Sequence, residues 1–529
     1  MNHPGDRDAL SEEWTSFPGL VRHHASRTPR ATALQFGGRR QDFGTLHSNM
    51  EKVAAALDGA GVGSGDRVAY LGKNSDRYFE LLLGTALIGA VIVPVGWRLA
   101  PPEIEAIVED ADARLLFVEA AFAGLAEALA WAARNPRSIV SIAGEEPDCA
   151  YVRWRDAASA LPRPLPDANR AMIQLYTSGT TGKPKGVMLT HRNILHWQVM
   201  ARERGSWFSW IADEVSLLTM PVSHISGTGW WSMSLIAGAP AIVHPEFRPD
   251  EALEAIGREA VSRLFVVPAA LQLMARHPSA AKTDFSRLRY ILYGGSPIPV
   301  ELLTECVDLF GCGFVQLYGL TETAGAVVHL PDTDHVPSSP RLTAAGKANP
   351  ETEIRVVDDA GDAVDAGTTG EIQIRSPNVM PGYWRRDDAS AEAMTGDGWF
   401  RTGDAGYLDA DGYLFVRDRI KDMIVSGGEN VYAAEVENVI HAHPAVGEAA
   451  VIGIPDAKWG EAVVAIVAPK SGVRLDEDEL LAFLRERLAG FKLPKAIKQM
   501  PLLPRNASGK ILKRDLRAPY WEGRSRGVS

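Results

Sequence analysis

Tyr176-Thr-Ser-Gly-Thr-Thr-Gly-Lys-Pro-Lys-Gly-Val-Met-Leu-Thr-His191 is the stretch whose reading decides the rest of the chain. Ala171–Tyr176 has the apolar character of a short buried strand, and Val187–Thr190 predicts a second strand leading into a helix at His191. Gly179, Gly182 and Gly186 permit close backbone approach, so successive N–H groups can converge on one anion. Thr177, Ser178, Thr180 and Thr181 add hydroxyl donors, and Lys183 and Lys185 add positive charge. A flexible linker of similar composition would lack the flanking apolar strands and the Pro184 set between lysines. A Walker A loop is excluded because Gly182-Lys183 is followed by Pro184, where Ser or Thr is required. The stretch reads as a polyphosphate cradle on a different scaffold.

Working outward, a chain of 529 residues exceeds one ordinary core and predicts two or more domains. A hydrophobic fraction of 46% and a net charge of −11 describe a globular protein without a general basic surface for nucleic acid. Cys149, Cys306 and Cys312 form no Cys-x-x-Cys pair and no complete disulfide set, which fits a reduced cytoplasm. The polar first residues lack a signal-peptide core. The most apolar stretch, Phe79–Val95, is interrupted by Glu80, Gly84, Gly89 and Pro94, so no transmembrane segment is expected. Peripheral membrane contact and a homodimer are both compatible with this composition.

Val68–Leu71, Ala90–Val95 and Leu115–Val118 read as strands separated by helices at Asp76–Ile88 and Pro101–Asp110, an α/β layering. Ala121–Pro136 reads as helix and Pro147–Pro166 as a loop-rich connection. Further strands are expected at Glu214–Met220, Leu264–Pro268, Leu288–Tyr293 and Phe314–Leu317, with ligands beyond their carboxyl ends. Gly294-Gly295-Ser296 follows the third of these, and Tyr318-Gly319-Leu320-Thr321-Glu322-Thr323 the fourth; neither is a Gly-x-Gly-x-x-Gly. His224 lies just past the first, among small residues. Thr352–Asp418 is rich in Val, Ile, Gly and Asp and predicts β-hairpins, with Trp-Phe-Arg-Thr-Gly-Asp ending at Asp404. A charged run from Arg417 to Asp422 follows, then Gly427-Gly428. The remainder predicts a small α+β unit with helices at Ala433–His441 and Glu477–Leu488 and strands at Ala449–Ile454 and Ala462–Ala468, ending in Pro-Arg-Asn-Ala-Ser-Gly-Lys at Lys510.

Together these motifs resemble, in order, those of the adenylate-forming superfamily: acyl-CoA and aryl-CoA synthetases, peptide-synthetase adenylation domains and beetle luciferases. The resemblance covers nearly the whole chain and is nearest to fatty-acid and acyl-CoA ligases. It implies a large N-terminal part (1–420) of layered α/β subdomains plus a β-rich subdomain, followed by a mobile α+β lid (421–529) hinged at Lys421. It implies that the 176–191 loop holds the β- and γ-phosphates of ATP, that Glu322 (with Thr180) holds Mg²⁺ and that Thr321 contacts the α-phosphate. Tyr318, beside Gly319, would stack on adenine near the Gly294–Ser296 loop. Asp404 and Arg419 would bind the ribose, Lys510 would be the catalytic lysine, and Gly427 and Gly428 would line the path of coenzyme A after the lid turns. His224 would border the carboxylate substrate, with Gly227, Thr228 and Gly229 leaving room and Trp230, Val327 and Val328 as walls. The pocket motif lacks the aspartate of amino-acid-activating domains, leaving fatty, aryl or alicyclic acids. An acyl-AMP ligase serving a carrier protein and a non-catalytic nucleotide-binding module are the competing readings.

Overall fold

The computed structural model describes residues 12–135, 138–142, 149–160, 162–178, 184–202, 206–211, 213–296, 298–336, 339–427, 429–505 and 510–522. Two large sheets of seven and nine strands dominate it. Arg67–Leu71, Val91–Val95 and Ala113–Val118 run parallel in the first. Ser216–Leu218, Ala241–Val243, Arg263–Val266, Tyr290–Gly294 and Gly313–Tyr318 run parallel in the second. Parallel strands are covered on both faces, and their Val, Ile and Leu runs are correspondingly continuous.

The helix Asp76–Leu87 touches strands of both sheets and is buried along its whole length. This is the apolar stretch that came nearest to a membrane span; it is a core helix, and no described helix is long and apolar enough to cross a bilayer. Its neighbour Phe43–Gly59 packs so close that a Cβ on Gly84 would fall 2.4 Å from a Val53 methyl. Glu80, a buried carboxylate of the helix Asp76–Leu87, accepts from Gln41 (2.6 Å), Asn49 (2.7 Å) and Tyr151 (2.8 Å) and pairs with Arg155 (3.1 Å). A charge so deep is tolerated only when its lone pairs are filled in this way.

Tyr151 and Arg155 correct one expectation. The segment expected as loop contains the helix Ala150–Asp156, too short to show a helical period and held instead by its bonds to Glu80. Conversely, the Ala-rich stretch breaks into Ala123–Glu127 and Ala130–Arg134, because alanine supplies propensity but little apolar surface to anchor a long helix. Pro101–Asp110 and Ala433–His441 have their expected bounds.

Glu353–Val357, Gly370–Arg375, Phe400–Leu408 and Leu414–Arg419 form the expected antiparallel sheet, although Asp387–Glu392 between them is helical. After Asp422 the chain makes another sheet, dominated by the hairpin Val446–Asp456 and Gly460–Pro469. Ala433–His441 and Glu477–Arg485 cover it, and Val436, Ile440, Val451, Val463, Leu480 and Leu484 fill a core of their own.

Several histidines are buried neutral. Nδ1 of His191, the first residue of helix His191–Ala201, accepts the Phe17 N–H at 3.3 Å, and burial lowers its pKa to about 3. His24, bonded through Nε2 to the Leu235 carbonyl at 2.8 Å, is lowered by burial to about 4. In the unfolded chain both would titrate near 6.5, so protons bind the unfolded state first. Stability should therefore be indifferent to these groups above about pH 7 and fall as pH drops from about 6.5 toward 4, by about 1.4 kcal/mol per unit of pKa difference for each group. Denaturant unfolding across that range tests this, and His191→Gln, which keeps an acceptor without the titration, should flatten the loss.

Candidate active site

The decisive stretch is an antiparallel hairpin of Ala171–Ser178 and Pro184–Thr190, in which Thr177 faces Lys185 and Ser178 faces Pro184. The strands run further toward the tip than their apolar residues indicated, because backbone pairing does not require apolar side chains. Gly179, Thr180, Thr181, Gly182 and Lys183 lie outside the described residues. Gly186 has a packing reason: a Cβ there would fall 2.6 Å from the Gln174 amide nitrogen. The Lys185 ammonium lies 5.0 Å from the centre of the Tyr383 ring. Tyr383 in turn donates its hydroxyl to Glu322 Oε1 at 3.0 Å. It was missed in the sequence, where only the Pro381-Gly382-Tyr383-Trp384 run inside a β-rich region marks it.

Glu322 sits in the single turn Thr321–Thr323 directly after the strand Gly313–Tyr318. Thr323 closes that turn: its hydroxyl accepts the Leu320 N–H (2.9 Å) and lies 3.0 Å from the Gly325 carbonyl. Gly319 allows the closure, since a Cβ would collide with the Gly325 carbonyl oxygen at 1.6 Å. In the adjacent loop, Gly294 is pressed against the Leu317 carbonyl (2.2 Å to a Cβ), Gly295 has φ +85°, and Ser296 is half-buried. A half-buried carboxylate facing the phosphate hairpin suits a hard cation that shares polyphosphate oxygens. Among the described residues no cluster of three or more acidic, His or Cys ligands occurs, and Thr180, the other residue expected at Mg²⁺, lies outside the described residues.

Asp404 is the deepest charge of the site, 4% exposed. It stands opposite Arg419 on the neighbouring strand, and Arg419 Nε reaches its Oδ1 at 2.7 Å. The Tyr318 hydroxyl donates to Oδ2 at 2.6 Å, and the Asp404 N–H donates to the Thr402 hydroxyl at 3.0 Å. A bulge between Ala405 and Gly406 and a φ of +66° at Gly403 turn the carboxylate to this position. Burial raises its pKa and Arg419 opposes the rise; burial likewise raises the Tyr318 phenol, so that phenol stays a donor.

Lys510 comes from the C-terminal unit into the same cleft, where it feels the charges of Arg419, Asp404, Asp422 and Lys421. Solvent reaches part of its side chain, yet the cleft crowds the ammonium: burial first, then Arg419, lowers its pKa. Lys421, in the short turn Ile420–Asp422, is lowered too, by burial and then Arg419 and Arg517, with Asp422 opposing. Burial would raise Asp422, but Lys513, Arg517 and Lys421 outweigh it and hold it below the usual range. Gly427 has φ +63°, donates its N–H to the Trp459 carbonyl at 2.8 Å and lies against the Trp459 ring; Gly428 is outside the described residues.

His224 precedes the helix Ile225–Ala237, whose Ile225 touches Gly325 of the Glu322 loop. Burial lowers its pKa to about 4, so the imidazole is neutral at pH 7. The residues around it also make packing contacts. Gly227 is small because its Cα abuts the Pro221 carbonyl; Thr228 is bonded to Tyr78 at 2.8 Å, and Trp230 Nε1 donates to the Leu217 carbonyl at 3.0 Å. Val327 and Val328 are fully buried in a cluster with Ile372 and Leu414. Thr228, Trp230, Val327 and Val328 are tied into the scaffold by these contacts. A cavity of about 410 Å³ lies at the other end of the helix, lined by Gln198, Arg202, Phe208, Trp210, Met233 and Ile236 among others.

The sequence model of the family described as AMP-binding enzyme matches residues 21–384, and that of the AMP-binding enzyme C-terminal domain matches 435–510. The chain belongs to this family. It is 42% identical to the fatty acid–[acyl-carrier-protein] ligase ScoC of Streptomyces coeruleorubidus, over 96% of each chain. It is 41% identical to a feruloyl-CoA synthase of an Amycolatopsis species, over 94% of this chain and 97% of that one. The crystal structure of ATP-bound MatB from Rhodopseudomonas palustris superposes with a TM-score of 0.85 at 30% identity, covering 95% of this chain and 99% of MatB.

The Gly319 contact yields a sharp expectation. Gly319→Ala must push the loop off the Gly325 carbonyl and displace Glu322, at a cost of about 3 kcal/mol. ATP affinity measured by calorimetry should fall at least tenfold while far-ultraviolet circular dichroism is unchanged.

Proposed function

We propose that this AMP-forming acid–thiol ligase converts a fatty, aryl or alicyclic carboxylic acid to its coenzyme A thioester, with ATP as the activating substrate. The observation that carries the reading is the convergence of Lys510 with Asp404, Arg419 and Tyr318 in one cleft. A non-catalytic nucleotide-binding module has no need of a lysine brought there from a separately packed unit.

In the first half-reaction a carboxylate oxygen attacks the α-phosphorus of ATP, the bond to the β-phosphate oxygen breaks, and pyrophosphate departs. Both reactants are anions, so the site must supply positive charge where they meet. Lys510 brings an ammonium to the reacting end, Thr321 offers a hydroxyl to the α-phosphate, and Lys183 and Lys185 flank the departing phosphates. Mg²⁺ on Glu322, when bound, neutralises phosphate charge. Asp404 and Arg419 fix the ribose, and Tyr318 presents its ring to the base. A neutral His224 can donate an N–H to the acid without pairing with its charge.

In the second half-reaction the thiolate of coenzyme A attacks the acyl carbon and AMP leaves with the bonding electrons. We place the domain boundary at 420/421 and the pivot at Lys421, between the Arg419 strand and the unit with its own core. Turning there withdraws Lys510 and presents Gly427 and Gly428. Coenzyme A as acceptor is supported by the face around Gly427: the Trp459 ring is 38% exposed, with Lys458 at 4.6 Å and Lys495 at 5.4 Å from its centre. An exposed indole between ammonium groups suits a purine bearing phosphates. The ScoC likeness favours a second reading, with a carrier-protein thiol in place of coenzyme A. We place the enzyme in the cytoplasm, where free thiols such as Cys149, Cys306 and Cys312 persist.

Pyrophosphate release from a panel of acids, with coenzyme A, with a carrier protein and with neither, decides between acceptors; release with no acid would overturn the ligase reading for this chain. Lys510→Ala should abolish adenylate formation, a loss of about 10³-fold or more, and spare thioester formation from supplied acyl-adenylate. Lys421→Pro should do the reverse by fixing φ at the pivot. Because the Lys510 ammonium loses its proton below the usual lysine range, the alkaline limb of adenylate formation should fall at lower pH than an ordinary lysine gives, and Lys510→Arg should move it upward. Trp459→Ala should raise KM for coenzyme A alone.

A further inference from the structure

Asp110 is the last residue of the helix Pro101–Asp110, where the helix dipole disfavours a carboxylate. What it gains there comes from outside the helix. Its Oδ2 accepts the Tyr176 hydroxyl at 2.7 Å, and its Oδ1 accepts from Arg386 at 2.9 Å. Its backbone carbonyl accepts the Trp384 indole N–H at 3.0 Å. Tyr176 belongs to the phosphate hairpin, and burial, then Asp110, raises its pKa, so the phenol remains a donor. On the hairpin side the contact continues inward: Gln174 donates to the Tyr176 oxygen at 2.9 Å, and Arg67 donates to Gln174 at 3.2 Å while its guanidinium covers the Trp384 ring.

The other end of this clasp is the segment that carries Tyr383. Gly382–Tyr383 pairs with Val187 and Met188 of the hairpin, and the Trp384 N–H donates to the Gly186 carbonyl at 2.8 Å. Arg385 reinforces it through Asp112 at 2.8 Å. Tyr383 then reaches Glu322 in one direction and lies beside Lys185 in the other.

We propose that Asp110 is a positioning residue for the phosphate end of the nucleotide: by tying Tyr176 of the hairpin to Arg386 and Trp384 it sets Tyr383, and through Tyr383 the relative placement of Glu322 and Lys185. This inference rests on the ligase reading above. Asp110 touches no reacting atom; it acts through the clasp, so its loss should be felt by ATP and pyrophosphate and not by the acid or the thiol.

The test is pyrophosphate exchange by the full chain, with whichever acid supports it, comparing unaltered protein with Asp110→Ala and Asp110→Asn. Asp110→Ala should raise KM for ATP and for pyrophosphate about tenfold and leave KM for the acid within about twofold. Thioester formation from supplied acyl-adenylate should be unchanged. Asp110→Asn, which keeps an acceptor for Tyr176, should recover part of the loss. Asp110→Ala should add little to Tyr383→Phe, since both break one chain of contacts. Unchanged ATP and pyrophosphate constants in folded Asp110→Ala would overturn the proposal, as would a parallel loss of thermal stability and of every substrate's KM. Should Asp110→Ala not fold, Tyr176→Phe and Arg386→Gln each remove one strut, and no ATP effect in either overturns it. If the unaltered chain exchanges no pyrophosphate with any acid, the ligase reading is what fails, and ATP affinity by calorimetry still decides whether Asp110 governs the phosphate end.

Discussion

The buried ion pair between Asp404 and Arg419 is the constraint on which the site depends. A carboxylate this deep is stable only while its lone pairs are filled, and it is filled by a guanidinium on the next strand and a phenol from the nine-stranded sheet. Those two bonds join the antiparallel sheet to the end of the Gly313–Tyr318 strand and start the chain toward the C-terminal unit. The pair provides a fixed, charged floor that a polar ligand can share.

In a chain with a net charge of −11, four cations meet around this cleft. Arg419, Lys421, Arg517 and Lys510 come within range of Asp404 and Asp422, and both lysines have lowered pKa values, first through crowding of the ammonium by protein and then through the neighbouring cations. Bringing a polyphosphate into such a place relieves that repulsion and gains the attraction, which at low effective dielectric is worth several times its value in water. The Asp418 carboxylate accepts the Ala434 N–H at 3.1 Å at the start of the helix Ala433–His441, and Arg517 meets Asp422 at 3.1 Å. These polar contacts around the turn at Lys421, set against the separate apolar core beyond it, support the pivot proposed there.

Much of this was legible from residue order. Strands with continuous Val, Ile and Leu runs, the capped helices and the hairpin sheet announce themselves because burial on a pleated or helical surface imposes its period on the chain. The helix Ala150–Asp156 and the roles of Thr228 and Trp230 were not legible, since each is decided by a partner far away in sequence: Glu80, Tyr78 and the Leu217 carbonyl. Short motifs also concealed their supports. Tyr383 lies between the hairpin and Glu322, and Asp110 ties the hairpin to the segment that carries Tyr383.

The amino-acid order by itself determined the chemistry this chain can perform: glycines where only a missing Cβ allows the backbone to close, lysines and a glutamate at motif spacings, and an aspartate after a glycine in a β-rich stretch. Those are local facts, because a turn or a phosphate loop is specified within a few residues. Tertiary structure decided which of them meet. Tyr318, Asp404 and Lys510 are separated by scores of residues and come together only because two sheets, a third sheet and a C-terminal unit stack in one arrangement. It also decided which contacts the residues near His224 make, since only the neighbouring backbone at Pro221 and the Tyr78 hydroxyl show what lies against them.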